Sequence, residues 1–208
     1  MSSLFDDGAR EILPYDGSAV LHPWVLGAMS GENLRDTLID EVPWRHNTIR
    51  VFGVDHAEPR LVSWHGDPGA VYSYSGVDLV VNPWTPTLSE LRTVCERIAG
   101  VAFNSVLVNL YRDGNDKVGW HADDEPELGP EPVIASLSLG ATRRFRFRHR
   151  DTGASVAVEL ESGSLVVMSG LSQKCWVHEV PRQRRVAAPR INLTFRRVRT
   201  GDHSSQPS

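Results

Sequence analysis

One stretch near the C-terminal end limits the fold more than any other. From Arg190 to Arg196, polar and apolar residues alternate without a break. A period of two belongs to a strand, where successive side chains leave opposite faces. Arg190, Asn192, Thr194 and Arg196 share one face; Ile191, Leu193 and Phe195 share the other. The apolar set is expected to pack between sheets and the polar set to point into a barrel lumen, where an unpaired guanidinium is expensive. A buried dicarboxylate would satisfy such residues through charge-assisted hydrogen bonds. One of the core's own carboxylates could do the same for Arg190.

A second segment repeats the pattern. In Ser105–Tyr111, Leu107, Asn109 and Tyr111 take one face and Val106, Val108 and Leu110 the other. Further strand candidates are Ile49–Phe52, Arg60–Trp64, Val133–Leu139, Arg144–Arg148, Val156–Leu160, Ser164–Met168 and Trp176–Val180, with glycines and turn residues between them. Two helices stand out. One covers Glu32–Val42. The other opens on Thr87-x-x-Glu90, a capping-box pattern. Its Leu91, Val94, Cys95 and Ile98 recur at helical spacing, and Gly100 stops it. Cys95 therefore belongs to the core. Many short strands and few helices predict a mainly β fold with flanking helices, a double-sheet barrel buttressed on one side. The 208 residues suffice for one sizeable core.

Composition narrows the function classes. No apolar run approaches the roughly 20 residues that cross a bilayer, so no membrane association is expected. The opening residues lack the basic and apolar regions of a signal peptide, and the two cysteines, Cys95 and Cys175, point to a reducing, cytoplasmic compartment. The net charge of −4 taken alone speaks against a nucleic-acid partner. The basic residues nevertheless are 20 Arg and only two Lys, a bias toward forked recognition of anions. Residues 1–104 carry a net −7 and residues 105–208 a net +3. Two arginine clusters lie in the second half: Arg143, Arg144, Arg146, Arg148 and Arg150, then Arg182, Arg184, Arg185, Arg190, Arg196, Arg197 and Arg199. A solvated basic surface would account for either.

Chemistry concentrates between Asn109 and Glu125. His121 and Asp123 flank a single residue, so an extended backbone sends both side chains to one face. His178, 57 residues after His121 in a strand-like segment, is the best third ligand. Two histidines and one carboxylate on one face of an octahedral ion make the facial triad of non-haem Fe(II) oxygenases. Each part alone is a weak signal. Cys175 and His178 also have the spacing of half a zinc site, but no second cysteine pair completes it.

Asn109-x-Tyr111, His121-x-Asp123, His178 and Arg190-x-Asn192-x-Thr194-x-Arg196 occur in one order and spacing that resembles the AlkB family of Fe(II)- and 2-oxoglutarate-dependent dioxygenases. Phe103–Tyr111, His121–Pro126, Ile134–Arg143, Pro59–Asp67 and Tyr72–Gly76 resemble its nucleic-acid demethylase branch. The likeness runs over residues 43–200. The resemblance implies a double-stranded β-helix of the jelly-roll or cupin kind. It implies a dioxygenase domain over 43–200 with a nucleotide-recognition lid near 43–80. Residues 1–42 would be an N-terminal extension packed on the core, and 201–208 a disordered tail.

The resemblance also implies residue roles. His121, Asp123 and His178 would bind Fe(II). Arg190 would pair with the distal carboxylate of 2-oxoglutarate, in a pocket shared by Asn109, Tyr111, Asn192 and Arg196. Arg60, Tyr72 and Tyr74 would belong to the lid, with Tyr74 stacked on a flipped base opposite His121. Asp124 and Glu125 would approach that base. His65 stands where relatives often carry an aromatic such as Tyr. The implied reaction takes 2-oxoglutarate and O₂ as co-substrates. It demethylates bases such as 1-methyladenine and 3-methylcytosine in single- or double-stranded DNA or RNA, releasing formaldehyde, succinate and CO₂. A monomer is expected. A related oxygenase acting on protein or a small molecule, and a barrel that binds nucleic acid without turnover, are the competing readings. The lid residues and the arginine clusters speak against the first of these. The triad and Arg190 speak against the second.

Overall fold

The computed structural model describes the backbone of residues 8–46, 48–51, 54–70, 73–74, 77–78 and 81–199, and the side chains of 8–46, 58–70 and 81–199. In chain order the strands are β1 (Arg10–Glu11), β2 (Ser18–His22), β3 (Thr48–Val51), β4 (Val54–Ala57), β5 (Leu61–Gly66), β6 (Ser73–Tyr74), β7 (Val77–Asp78), β8 (Ser105–Tyr111), β9 (Val118–His121), β10 (Ile134–Gly140), β11 (Arg143–His149), β12 (Ser155–Leu160), β13 (Leu165–Ser169), β14 (Trp176–Val180) and β15 (Arg190–Arg196). The helices are α1 (Gly31–Glu41), α2 (Pro86–Ala99) and the single turn α3 (Ser172–Cys175).

Two antiparallel sheets make a jelly-roll core. The larger runs β1-β2-β13-β10-β15-β8-β5 and the smaller β12-β11-β14-β9. The N-terminal residues enter the barrel itself: β2 is hydrogen-bonded to β13, with Val20 opposite Val167. Residues 48–78 contain two short ladders, β3–β4 and β6–β7.

β15 lies inside the larger sheet, between β10 and β8, and its two faces differ as the alternation requires. Their assignment to layers corrects one expectation. Ile191, Leu193 and Phe195 do not pack between the sheets; with Val106, Val108 and Leu110 they meet Leu38 of α1 and Leu88, Leu91 and Cys95 of α2. The helices supply the apolar layer on the outside of the larger sheet. The polar face is thereby left to the space between the sheets. Part of that space is closed by an apolar cluster that includes Ile134, Phe145, Phe147, Val158, Met168 and Trp176.

α2 begins two residues earlier than its capping-box pattern predicts. Thr85 is the N-cap, and its hydroxyl accepts the Leu88 N–H at 3.2 Å. Pro86 explains the shift. Its fixed φ suits a first helical turn, and the donor it lacks would be unpaired there anyway. The helix stops at Gly100, whose φ of 70° is the left-handed conformation glycine adopts without cost. α1 spans Gly31–Glu41 on a Ser30 cap, one residue off its expected start.

The outer face of the smaller sheet carries part of the first arginine cluster. Arg144 pairs with Glu159 at 2.7 Å and Arg146 with Glu179 at 3.1 Å. Arg146 and Arg148 lie over the Trp120 ring at 5.1 and 4.5 Å. Arg143 departs from the cluster: it is buried.

Candidate metal centre and dicarboxylate pocket

Ladder register brings the two histidines together. His121 ends β9 and stands directly opposite His178 of β14, with ring centroids 4.3 Å apart. β9 stops at His121, so Asp123 lies just beyond the strand rather than within it. One donor atom each from His121, Asp123 and His178 falls within 4.8 Å of the others. His121 Nδ1 is 2.8 Å from the Gly119 carbonyl. Nδ1 must carry the proton there, which leaves the Nε2 lone pair for a metal. His178 is pushed down to about 3, by burial first and by His121 second, against the opposing pull of Asp123. It is neutral at physiological pH, the form that ligates.

Asp123 is held from three sides. Its Oδ1 accepts from Arg196 Nη2 at 2.5 Å, its Oδ2 lies 3.8 Å from His178 Nε2, and its backbone N–H donates to Gln173 Oε1 at 2.9 Å. Burial raises the carboxyl pKa, but the charges of Arg196, the two histidines and Arg60 outweigh it and hold the group below its ordinary value. The result is an ionised, oriented carboxylate beside two imidazoles, a donor set suited to Fe(II).

A second cluster, Asp16, His149 and Cys175, also places donor atoms within 4.8 Å. His149 Nδ1 accepts from the backbone N–H groups of Asp151 and Thr152, at 3.2 and 3.1 Å. Its Nε2 therefore carries the proton and donates to Asp16 at 3.2 Å. The lone pair a metal needs is absent, so this cluster is a structural latch.

The polar face of β15 opens beside the triad. Asn192 stands opposite Asn109, and Arg190 opposite Tyr111, on neighbouring β8. Asn109, Tyr111, Arg190, Asn192 and Arg196 line one cavity with His121, Asp123 and His178. Most of the polar atoms are satisfied by protein. Asn192 Nδ2 donates to Ser136 Oγ at 2.8 Å, and Asn192 Oδ1 accepts from the Thr194 hydroxyl at 3.1 Å. Arg196 is committed to Asp123, so it reaches the cavity through that carboxylate.

Arg190 differs. It is 1% exposed, and its Nη2 donates to Ser138 Oγ at 2.9 Å, while Nε and Nη1 have no hydrogen-bond partner. Burial, the larger cause, and nearby Arg143 push it down to about 10, so it stays charged at neutral pH. A buried, charged, half-unsatisfied guanidinium facing a cavity is what a carboxylate-bearing ligand would complete. The residues present fit Fe(II) and 2-oxoglutarate.

The nucleotide-side residues are less gathered. Arg60 is buried at the same cavity. It donates from Nε to Asn109 Oδ1 at 2.8 Å and pairs with Glu58 at 3.3 Å. Asp124 turns away from the cavity to Arg150 at 3.0 Å, and Glu125 precedes the 3₁₀ turn Pro126–Leu128. Tyr72 lies outside the described residues. The backbone of Tyr74 belongs to β6, and its side chain lies outside the described residues. His65, also buried, is close to Ser63 Oγ and the Pro83 carbonyl, at 3.1 and 2.7 Å.

Sequence reasoning missed Ser136, Ser138 and Gln173. The two serines had a signal, since they alternate with leucines along β10. Gln173 had none, because its contact with Asp123 spans 50 residues.

The family model described as the 2OG-Fe(II) oxygenase superfamily matches residues 18–196. A bovine (Bos taurus) protein named alpha-ketoglutarate-dependent dioxygenase alkB homolog 3 is 41% identical over 188 residues, covering 86% of this chain and 65% of its own length. The mouse (Mus musculus) DNA oxidative demethylase ALKBH2 is 45% identical over 159 residues, covering 72% and 66%. The chain thus spans just under two thirds of the length of these curated relatives. A solved structure titled "The structure of OsALKBH1" shares the fold at a TM-score of 0.59 and 16% identity, covering 89% of this chain and 99% of that one.

Proposed function

The chain belongs to the 2OG-Fe(II) oxygenase superfamily, in its AlkB family, and on that premise we propose that it oxidatively demethylates N-alkylated bases in nucleic acid. The observation that carries the reading is Arg190, a buried cation with two open donors a few residues from the metal carboxylate's own partner, Arg196. His121, Asp123 and His178 would hold Fe(II), and Arg190 would take the distal carboxylate of 2-oxoglutarate. Fe(II) with these co-substrates supplies the oxidising power that converts an N-methyl group to formaldehyde as 2-oxoglutarate becomes succinate and CO₂.

The residues divide the remaining work. Arg196 and Gln173 orient Asp123 from its side chain and its backbone. Asn109, Tyr111 and Asn192 wall the dicarboxylate pocket against water. The base must leave the stack to reach a centre this deep. Tyr72, Tyr74 and Arg60 form the lid in this reading, with Tyr74 stacking on the base and Arg60 reaching inward toward Asn109. Glu125, and Asp124 once released from its pair with Arg150, would favour cationic lesions such as 1-methyladenine and 3-methylcytosine. The reading takes a cytoplasmic monomer. The names and identities of the relatives support nucleic acid as the substrate.

The test is coupled turnover. With Fe(II), ascorbate and 2-oxoglutarate, a 1-methyladenine or 3-methylcytosine oligonucleotide should yield formaldehyde and succinate in equal amounts, and His121→Ala should yield neither. Succinate released with peptides and not with any methylated DNA or RNA strand would overturn the reading.

A further inference from the structure

Arg143 is as deeply buried as Arg190, each at 1% exposure, and has no part in the chemistry described so far. Each nitrogen of its guanidinium donates to a chain acceptor. It donates to Gln183 Oε1 at 3.2 Å, to the Asp113 carbonyl at 3.0 Å, and from Nη2 to the Asp116 and Pro181 carbonyls, each at 2.8 Å. Asp113 and Asp116 belong to the connection from β8 to β9. Pro181 and Gln183 belong to the connection from β14 to β15. The two connections also bond to each other, Gly114 N to Val186 O at 2.7 Å and Gln183 N to Gly114 O at 2.8 Å. One side chain therefore clasps the turns that join Tyr111 to His121 and His178 to Arg190.

The same guanidinium reaches the pocket wall. Arg143 lies 5.4 Å from the centroid of the Tyr111 ring, and Arg190 lies 5.2 Å from it. Tyr111 is thus attracted by two cations at once, an arrangement that fixes a ring in place. Two buried guanidinium groups near one ring also repel each other when nothing anionic is present. A carboxylate on Arg190 relieves that repulsion, so the second cation raises the gain from binding an anion over a neutral group.

We propose that Arg143 is a positioning residue for 2-oxoglutarate, acting through Tyr111 and through the positive field it adds behind Arg190. The inference rests on the reading of this cavity as a 2-oxoglutarate pocket. It gives Arg143 two effects: affinity for the dicarboxylate, and discrimination for a charged distal group.

The experiment titrates the full chain, loaded with Mn(II) and kept anaerobic, with 2-oxoglutarate by calorimetry. Arg143→Lys keeps the charge and loses the fork; Arg143→Met removes the charge. Circular dichroism and melting report folding. Supporting residues of this kind cost 10- to 100-fold when removed, so folded Arg143→Lys should raise the dissociation constant about tenfold. The KM for a methylated oligonucleotide should stay within about twofold, the scale of a site with no shared partner. In a Tyr111→Leu background the same substitution should cost much less, because the contact it acts through is gone. Unchanged affinity in folded Arg143→Lys overturns the proposal. So do equal losses for co-substrate and oligonucleotide, or fully additive losses with Tyr111→Leu. If Arg143→Met does not fold, Arg143→Lys decides alone. Failure of the wild-type chain to bind 2-oxoglutarate overturns the reading of the site and the proposal with it, whereas normal wild-type binding with an indifferent variant overturns the proposal only.

Discussion

Arg190 and Arg196 share one face of β15, and of these two only Arg196 pairs with a carboxylate among the described residues. Alternation alone placed both in the interior, with a dicarboxylate or an internal carboxylate as the two possible partners. The internal partner exists, but it serves Arg196. Which arginine it would serve was not legible, because Asp123 comes from beyond the end of β9 and its reach depends on ladder register. The difference makes a two-sided prediction. Arg190→Met should cost about 30- to 160-fold in 2-oxoglutarate affinity, the value of a charged hydrogen-bonded partner at about 2–3 kcal/mol. In the ligand-free protein the same change should leave the melting temperature unchanged or raised, since it removes a buried charge that lacks a full set of partners. A parallel fall in both would mean that Arg190 is a structural residue. Arg196→Met should behave oppositely and destabilise the free protein, because it would strand the buried carboxylate of Asp123.

At the scale of elements, periodicity located the strands that matter. β8, β14 and β15 lie within one residue of their expected bounds, because two-residue alternation over five to seven residues has no helical alternative. β2 was missed. Its five residues carry only two buried side chains, Ala19 and Leu21, too short a pattern to stand out between turns. The cap of α2 shows a different failure. Thr87-x-x-Glu90 is a valid pattern, yet Pro86 admits an earlier start that a pattern search does not weigh. Thr85 and Thr87 are thereby separated by a simple measurement. Thr85→Ala should destabilise the protein by about 1 kcal/mol in denaturant unfolding, the usual cost of losing an N-cap hydroxyl. Thr87→Ala, now inside the helix, should be neutral or slightly stabilising, since alanine is the better helix former. Equal losses at the two positions would place the cap elsewhere.

Across the whole molecule the charge split follows the architecture in part. The acidic first half includes both long helices, and the basic second half includes β11, β14 and β15. The arginine surplus, however, divides into more uses than sequence could assign. Arg143 and Arg190 are buried, Arg196 holds the carboxylate of Asp123, and Arg144, Arg146 and Arg150 have acidic partners. Those pairings join residues up to 73 positions apart, so no local pattern announces them. Arg148 and the exposed loop arginines Arg182, Arg184 and Arg185 have no acidic partner among the described residues, and they are the cations best placed to meet phosphate. Each phosphate contact on a single strand steepens the dependence of log affinity on log salt by about 0.7, so some three or four contacts give a slope near −2 to −3. Fluorescence anisotropy of a methylated single strand, titrated from low to physiological salt, measures it. Arg184→Ala with Arg185→Ala should flatten the slope by about 1.4 and leave the affinity for 2-oxoglutarate unchanged. A slope steeper than about −5 would instead require the ion-paired arginines to exchange their carboxylates for phosphates, and binding would then reorganise the outer face of the smaller sheet.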